Sequence, residues 1–203
     1  MPKKLAAIGV QMHSGWGVLV AVAYADSVQI LDRKRIVVVD PGMPGANQPY
    51  HYARLQLEKQ NLEEAERHLA LCASTSEKLA TKAIEEVAAE LRGRGCRVAG
   101  AVVLQGAGRA LPALPHILAS HPLIHTAGGE FFGNVVKNAC ERLKIPVENI
   151  RRRDLEEHTK ITFGRAATQL QRTVANIGKS LGPPWKADHK TAALAALTIL
   201  ANK

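Results

Sequence analysis

The sequence LAAIGVQMHSGWGVLVAVAY occupies residues 5–24 and contains two apolar runs, at residues 5–10 and 17–24. A third run of the same kind follows at residues 28–39. Short runs that are rich in β-branched residues and separated by Gly, Asp and Ser predict strands joined by tight turns. We therefore expect the chain to begin with an antiparallel three-stranded meander.

The segment after the meander breaks regular structure. Residues 41–49 hold three prolines and two glycines, which neither a helix nor a central strand tolerates, so we expect an exposed loop there. Helical patterns follow. One helix is predicted over residues 50–72, and a second from Ser74, where Glu77 three residues on completes a capping box. Gly93 is expected to end this second helix.

The rest of the chain alternates between strand patterns and helix patterns. The nearly continuous apolar run at residues 98–105 predicts a strand buried on both faces. A helix ending before Pro146, a weak strand at 147–150 and a helix over 166–181 come next. Asp188 suits the N-cap of a last helix at 191–200. The whole order predicts a single α/β domain over residues 1–203, with one mixed five-stranded sheet and helices packed on it.

Composition narrows the class of protein. The longest apolar run, residues 16–25, is about half of the ~20 residues that a spanning helix needs, so we expect no membrane segment and a cytoplasmic location. The net charge is +9: residues 1–101 hold 13 Lys/Arg and 11 Asp/Glu, giving +2, and residues 102–203 hold 14 and 7, giving +7. A basic second half suits a phosphate-rich partner, although a merely soluble basic surface has the same composition.

Three short motifs resemble those of the RuvC-type Holliday-junction resolvases, in the same order along the chain. IGV at residues 8–10 with GWGV at 15–18 is similar to their first strand and turn. TFGRAA at 162–167 resembles the segment before their final helix, and DHKTAALA at 188–195 resembles the start of that helix. The resemblance implies the RuvC branch of the RNase H-like fold, and it implies a homodimer.

The same resemblance implies a site at which carboxylates hold two divalent metal ions that activate water for phosphodiester cleavage. The first acid's position is occupied here by Gln11, and the second by Leu104 or Gln105. Asp188 matches the first acid of the final helix, while Thr191 stands where the last is expected. A Gln is neutral and a poorer metal ligand, so we expect no strong two-metal site, and we expect Gln11 and Gln105 to face each other as a hydrogen-bonded remnant.

Three functions stay open at this point. The first is a catalytically impaired domain that binds nucleic acid, DNA rather than RNA. The second is a Mg²⁺- or Mn²⁺-dependent nuclease with a rearranged site built on Asp188 and Glu130, although Glu130 also suits the first turn of a helix. The third is a protein-interaction module that kept the fold and requires no cofactor.

The sharpest basic cluster is Arg151, Arg152 and Arg153. Together with Lys160 and Arg165 it predicts a nucleic-acid-binding edge whose contacts would be salt-sensitive. The alternative is a solvated turn paired with the nearby acids.

His121 and His125 are four residues apart, and with His116 they offer a possible zinc site. Three prolines between residues 112 and 122 argue against a regular helix there, so we expect surface histidines and no bound metal.

Overall fold

A computed structural model of the protein describes residues 4–58, 61–106 and 110–201. Its five strands form one mixed sheet in the order β3-β2-β1-β4-β5. The first three strands are antiparallel, β4 runs parallel to β1, and β5 runs parallel to β4. The predicted meander and mixed sheet are therefore confirmed. The strand bounds are β1 Lys4–Met12, β2 Trp16–Tyr24, β3 Val28–Val37, β4 Cys96–Gln105 and β5 Val147–Arg151.

Helices cover both faces of the sheet. Among the described residues none of them is both long and apolar enough to cross a lipid bilayer. Short 3-10 turns at Arg152–Asp154 and Gly164–Ala166 precede α5 and α6. The helix bounds are α1 Pro49–Glu58, α2 Leu62–Gly93, α3 Leu114–Leu118, α4 His121–Arg142, α5 Leu155–Phe163, α6 Ala167–Leu181 and α7 Ala187–Ala201.

Successive side chains of β1 point to opposite faces of the sheet, and two separate cores result. Ile8 and Val10 join the core under α2 and α4. Ala7 joins the other core, under α7 together with α5 and α6. Gly9 and Gln11 share the parity of Ala7, so they lie on the α7 face.

Helix α7 lies directly on β1 because Gly9 has no side chain. A Cβ at Gly9 would overlap the carbonyl oxygen of Ala192 and lie 2.8 Å from its carbonyl carbon. Ala192, Ala193 and Ala196 are fully buried, which is the small-residue composition that such close packing needs. The contact fixes α7 so that its first turn lies beside the end of β1.

The predicted break between the first two helices is wrong. Helix α2 continues without interruption from Leu62, and Asn61 is its N-cap, with Asn61 Oδ1 accepting a hydrogen bond from the Glu64 amide at 2.9 Å. Ser74 lies inside this helix, where its hydroxyl donates to the carbonyl of Leu71 at 3.1 Å. A serine that bonds back along its own helix has the same local sequence as a capping serine, so the motif misled the prediction.

Smaller differences occur elsewhere. The structure adds two helices that we did not predict, α3 and α5. Helix α7 begins at Ala187, so Asp188 lies in its first turn rather than at the N-cap. In the segment at 41–49, Ala46 is buried against the core, and Pro49 is buried and starts α1, as suits a proline at the first helical position.

Candidate nucleic-acid interface

A cleft of about 680 Å³ opens at the carboxyl ends of β1 and β4. Open α/β sheets commonly bind their ligands at this edge. The strands β1, β4 and β5 are parallel, so their carboxyl ends lie at one edge of the sheet. Side chains that follow these three strands therefore meet at the cleft. The lining residues are Gln11, Met12, His13, Ser14, Leu104, Gln105, Gly106, Gly128, Gly129, Arg152 and Arg153.

Gln11 lies at the end of β1, buried on the α7 face of the sheet. Its Nε2 donates to the carbonyl oxygen of Met12 at 3.1 Å. Its Oε1 is buried and has no hydrogen-bond partner among the described residues. A buried acceptor without a partner costs about 1–3 kcal/mol. Gln11 therefore places a neutral, unsatisfied acceptor beside the cleft.

Gln105 lines the same cleft but points to the other face of the sheet. The residue paired with Gln11 across the two strands is Leu104, so Gln105 is one residue out of step with it. The Nε2 of Gln105 donates to Asn134 Oδ1 on α4 at 3.2 Å, and its side chain packs against Gly133. The prediction that the two amides face each other is wrong, because the register places them on opposite faces.

Asp188 is held by two basic side chains at the edge of the cleft. Its Oδ2 lies 2.9 Å from His13 Nε2, and its Oδ1 lies 3.6 Å from a terminal nitrogen of Arg152. The pairs tie the first turn of α7 to the end of β1 and to the turn after β5. Both oxygens of the one retained acid are therefore occupied by partners from this chain.

The imidazole of His13 is oriented by an aromatic neighbour. It stacks on Trp16 with ring centroids 4.3 Å apart and an angle of 16° between the rings. Arg35 places its guanidinium 4.1 Å from the centre of the Trp16 ring. The His13 amide donates to the Trp16 carbonyl at 2.8 Å and closes the turn between β1 and β2. We did not predict this cluster of His13, Trp16 and Arg35. The one signal for it in the sequence is the short spacing between His13 and Trp16, which is typical of a tight turn.

Glu130 lies on α4, on the other face of the sheet from α7. It is buried, and its Oε1 lies 3.8 Å from the position that a Cβ on Gly106 would occupy. Asp188 contacts His13 and Arg152 instead. Glu130 and Asp188 therefore lie on helices that pack on opposite faces of the sheet.

The structure divides the predicted basic cluster. Arg152 and Arg153 line the cleft with 51% and 70% of their side chains exposed. Arg151 pairs with Asp154, which Arg153 also approaches at 3.5 Å. Two arginines of the run thus face the cleft, while the first is held in its own turn.

The other two predicted cations lie farther along the chain. Lys160 is on α5 and pairs with Glu156 at 2.7 Å, and Arg165 is exposed in the 3-10 turn before α6. Neither lines the cleft. Any phosphate contact they make would be outside it.

The wall of the cleft does not suit a pair of divalent metal ions. Mg²⁺ and Mn²⁺ prefer oxygen ligands, and their charge must be offset by carboxylates. Within the described ranges the wall holds two neutral amides and two arginines but no carboxylate. Asp188, the nearest retained acid, is already paired with His13 and Arg152.

The sheet order, the antiparallel meander and the helix packed on β1 define an RNase H-like fold. A solved structure shares this fold. The chain is similar to "T. thermophilus RuvC in complex with Holliday junction substrate", with a TM-score of 0.55 and 13% identity over 98% of this chain and 95% of that one. A second structure, "Thermus thermophilus RuvC structure", matches with a TM-score of 0.47 and 12% identity over 95% and 91%. The sheet order and the first of these two structures together show a RuvC-like RNase H-like fold. No protein-family model and no curated protein matches its sequence.

Proposed function

We propose that this protein binds structured DNA in the cleft at the end of β1 and β4, without two-metal hydrolysis. The observation that carries the proposal is the charge of the cleft wall, which is neutral at Gln11 and Gln105 and positive at Arg152 and Arg153. Phosphates are attracted by such a wall, and no carboxylate among the described lining residues repels them. The similar RuvC structure holds a Holliday junction, which supports DNA as the partner.

Salt dependence is the first test of the proposal. We expect a labelled four-way junction to bind the protein at low salt, with affinity falling as salt rises, because each neutralised phosphate of B-DNA adds about −0.9 to the slope of log K against log salt. Fluorescence anisotropy on a junction, a duplex and a single strand gives both the slope and the preferred structure. Binding that is absent at low salt on all three would rule the proposal out.

Homodimerisation is a separate proposal that rests on the resemblance alone. Analytical ultracentrifugation of the free protein tests it, with sedimentation at 21.9 kDa as the contrary outcome.

Replacing Asp188 with Asn separates the proposed binding role from the nuclease alternative. The change removes a negative charge beside Arg152 and would free that guanidinium for a phosphate. We expect the Kd for DNA to fall by about twofold to tenfold, because one charge-assisted contact contributes on the order of 1 kcal/mol. Anisotropy titrations of the variant and the parent measure the change.

Glu156→Gln is the matched control for that prediction, because it neutralises an acid that pairs with a cation outside the cleft. We expect its Kd to stay within twofold of the parent value, because ion pairs between exposed side chains contribute little free energy. Weaker binding of D188N than of E156Q would mean that the Asp188 carboxylate itself takes part in the site.

A further inference from the structure

Three histidines meet where the first turn of α1 lies against the start of α4. His51 is on α1, while His121 and His125 lie one turn apart on α4. One ring nitrogen from each lies within 4.8 Å of the others. The prolines did not prevent a helix, because Pro122 occupies the first turn of α4, where its missing amide hydrogen is tolerated. His116, the third histidine of the predicted trio, lies on α3 outside this group.

The arrangement of the rings suits one metal ion. The Nε2 atoms of His121 and His125 are 3.3 Å apart. Two imidazoles on a tetrahedral ion with metal–nitrogen bonds of about 2.0–2.1 Å have their ligand atoms about 3.3 Å apart. The His51 ring is inclined at 69° to both of the other rings, with centroids 5.6 and 4.9 Å from them. Rings crossed in this way can direct their nitrogens toward a common point, which stacked rings cannot.

We propose that His51, His121 and His125 form a binding site for one divalent first-row transition metal ion of the zinc, cobalt and nickel type. Imidazole is a preferred ligand of these ions and a poor one for Mg²⁺. The group that the described residues form contains three histidines and neither an acid nor a thiol. Three protein ligands leave a fourth position for water or an exogenous ligand, which is the pattern of open rather than structural zinc sites.

The fourth coordination position would lie beside a small cavity. His51 and His125 line a cavity of about 160 Å³ that shares Ser14, Gly128 and Gly129 with the larger cleft. Helices α1 and α4 both begin beside the histidines, and the positive ends of their dipoles favour an anion there. The exogenous ligand that fits is therefore an anion with oxygen donors, such as a phosphate group.

Cobalt and zinc titrations of the untagged full chain test the site. We expect one Co²⁺ per chain with visible d–d absorption, and one Zn²⁺ per chain by calorimetry. His121→Ala and His125→Ala each remove a ligand and should weaken metal binding at least about 100-fold. Losing a residue that only hydrogen-bonds to a ligand already costs up to about 100-fold, and losing the ligand itself should cost no less. Both side chains are exposed, so the helical circular dichroism should not change; if one variant unfolds, the other decides.

His116→Ala is the matched control, since it removes an exposed histidine from α3 and leaves the cluster intact. We expect the control to bind both metals as the parent does. Equal binding by the parent, H121A and H125A would overturn the proposal, and so would a loss in H116A as large as theirs.

Inorganic phosphate added to the cobalt-loaded protein should shift the absorption spectrum, and an unchanged spectrum would contradict the open fourth position. These measurements use no nucleic acid, so their outcome is independent of the DNA-binding proposal.

Discussion

Replacing Gly9 with alanine is expected to lower the free energy of unfolding by at least about 3 kcal/mol, at or above the upper end of the usual cost of overpacking. The new methyl group would occupy the space of the Ala192 carbonyl, which is backbone and cannot rotate away. Helix α7 would have to move off β1, and its buried alanine face would separate from the sheet. Urea unfolding followed by circular dichroism measures the change.

Gly129→Ala makes the same chemical change at a position where a Cβ meets nothing within 4 Å. Because Gly129 lies inside α4, alanine there should stabilise the helix by about 0.5–1 kcal/mol. The two substitutions should therefore act with opposite signs. If G9A were as stable as the parent protein, the close approach of α7 to β1 would be wrong, and with it the position of Asp188.

Neutralising both cleft arginines, with Arg152→Gln and Arg153→Gln in one chain, should produce the largest loss of DNA binding. We expect a loss of about 10- to 100-fold at low salt, because two phosphate contacts of roughly 1 kcal/mol or more are removed. The slope of log K against log salt should become shallower by about 2, one for each contact. Anisotropy titrations at four or more salt concentrations give both quantities.

Arg172→Gln provides the control for charge alone, since Arg172 is exposed on α6 and does not line the cleft. It lowers the net charge by one without touching the proposed interface. We expect its slope to match that of the parent. A fall in log K for R172Q about half as large as that for the double variant, in proportion to the charge removed, would show that general charge, and not the cleft, binds the DNA.

The sheet could be predicted from the sequence because its signals are local. Each apolar run is bounded by turn residues, and strand period and burial follow from a few neighbours. The boundary between the first two helices, near residue 61, could not be predicted in the same way. Ser74 has the sequence of a helix cap but lies inside a continuous helix. Which of two equivalent local patterns forms is decided by packing between distant elements.

The candidate site was predictable only in part. Gln11 and Gln105 line one cleft, as the resemblance implies, because parallel strands end at one edge of the sheet. Arg152 and Arg153, predicted from local charge alone, line the same cleft. The orientation of the two glutamines was not predictable, since the register that sends them to opposite faces is a property of the pairing between strands.

The pairing of His13 with Asp188 and the approach of His51 to His125 join segments far apart in the chain. Neither contact has a signal in the local sequence, so only the fold reveals them.

In our proposal the cleft holds DNA without divalent metal ions. The most direct test is a labelled four-way junction titrated with metal-stripped protein in EDTA, and again in excess Mg²⁺ at matched ionic strength, with the strands of each sample then run on a denaturing gel. We expect binding in EDTA, a Kd within about threefold of that value in Mg²⁺, and strands of unchanged length. Binding that requires Mg²⁺, or shortened strands in its presence, would contradict the proposal.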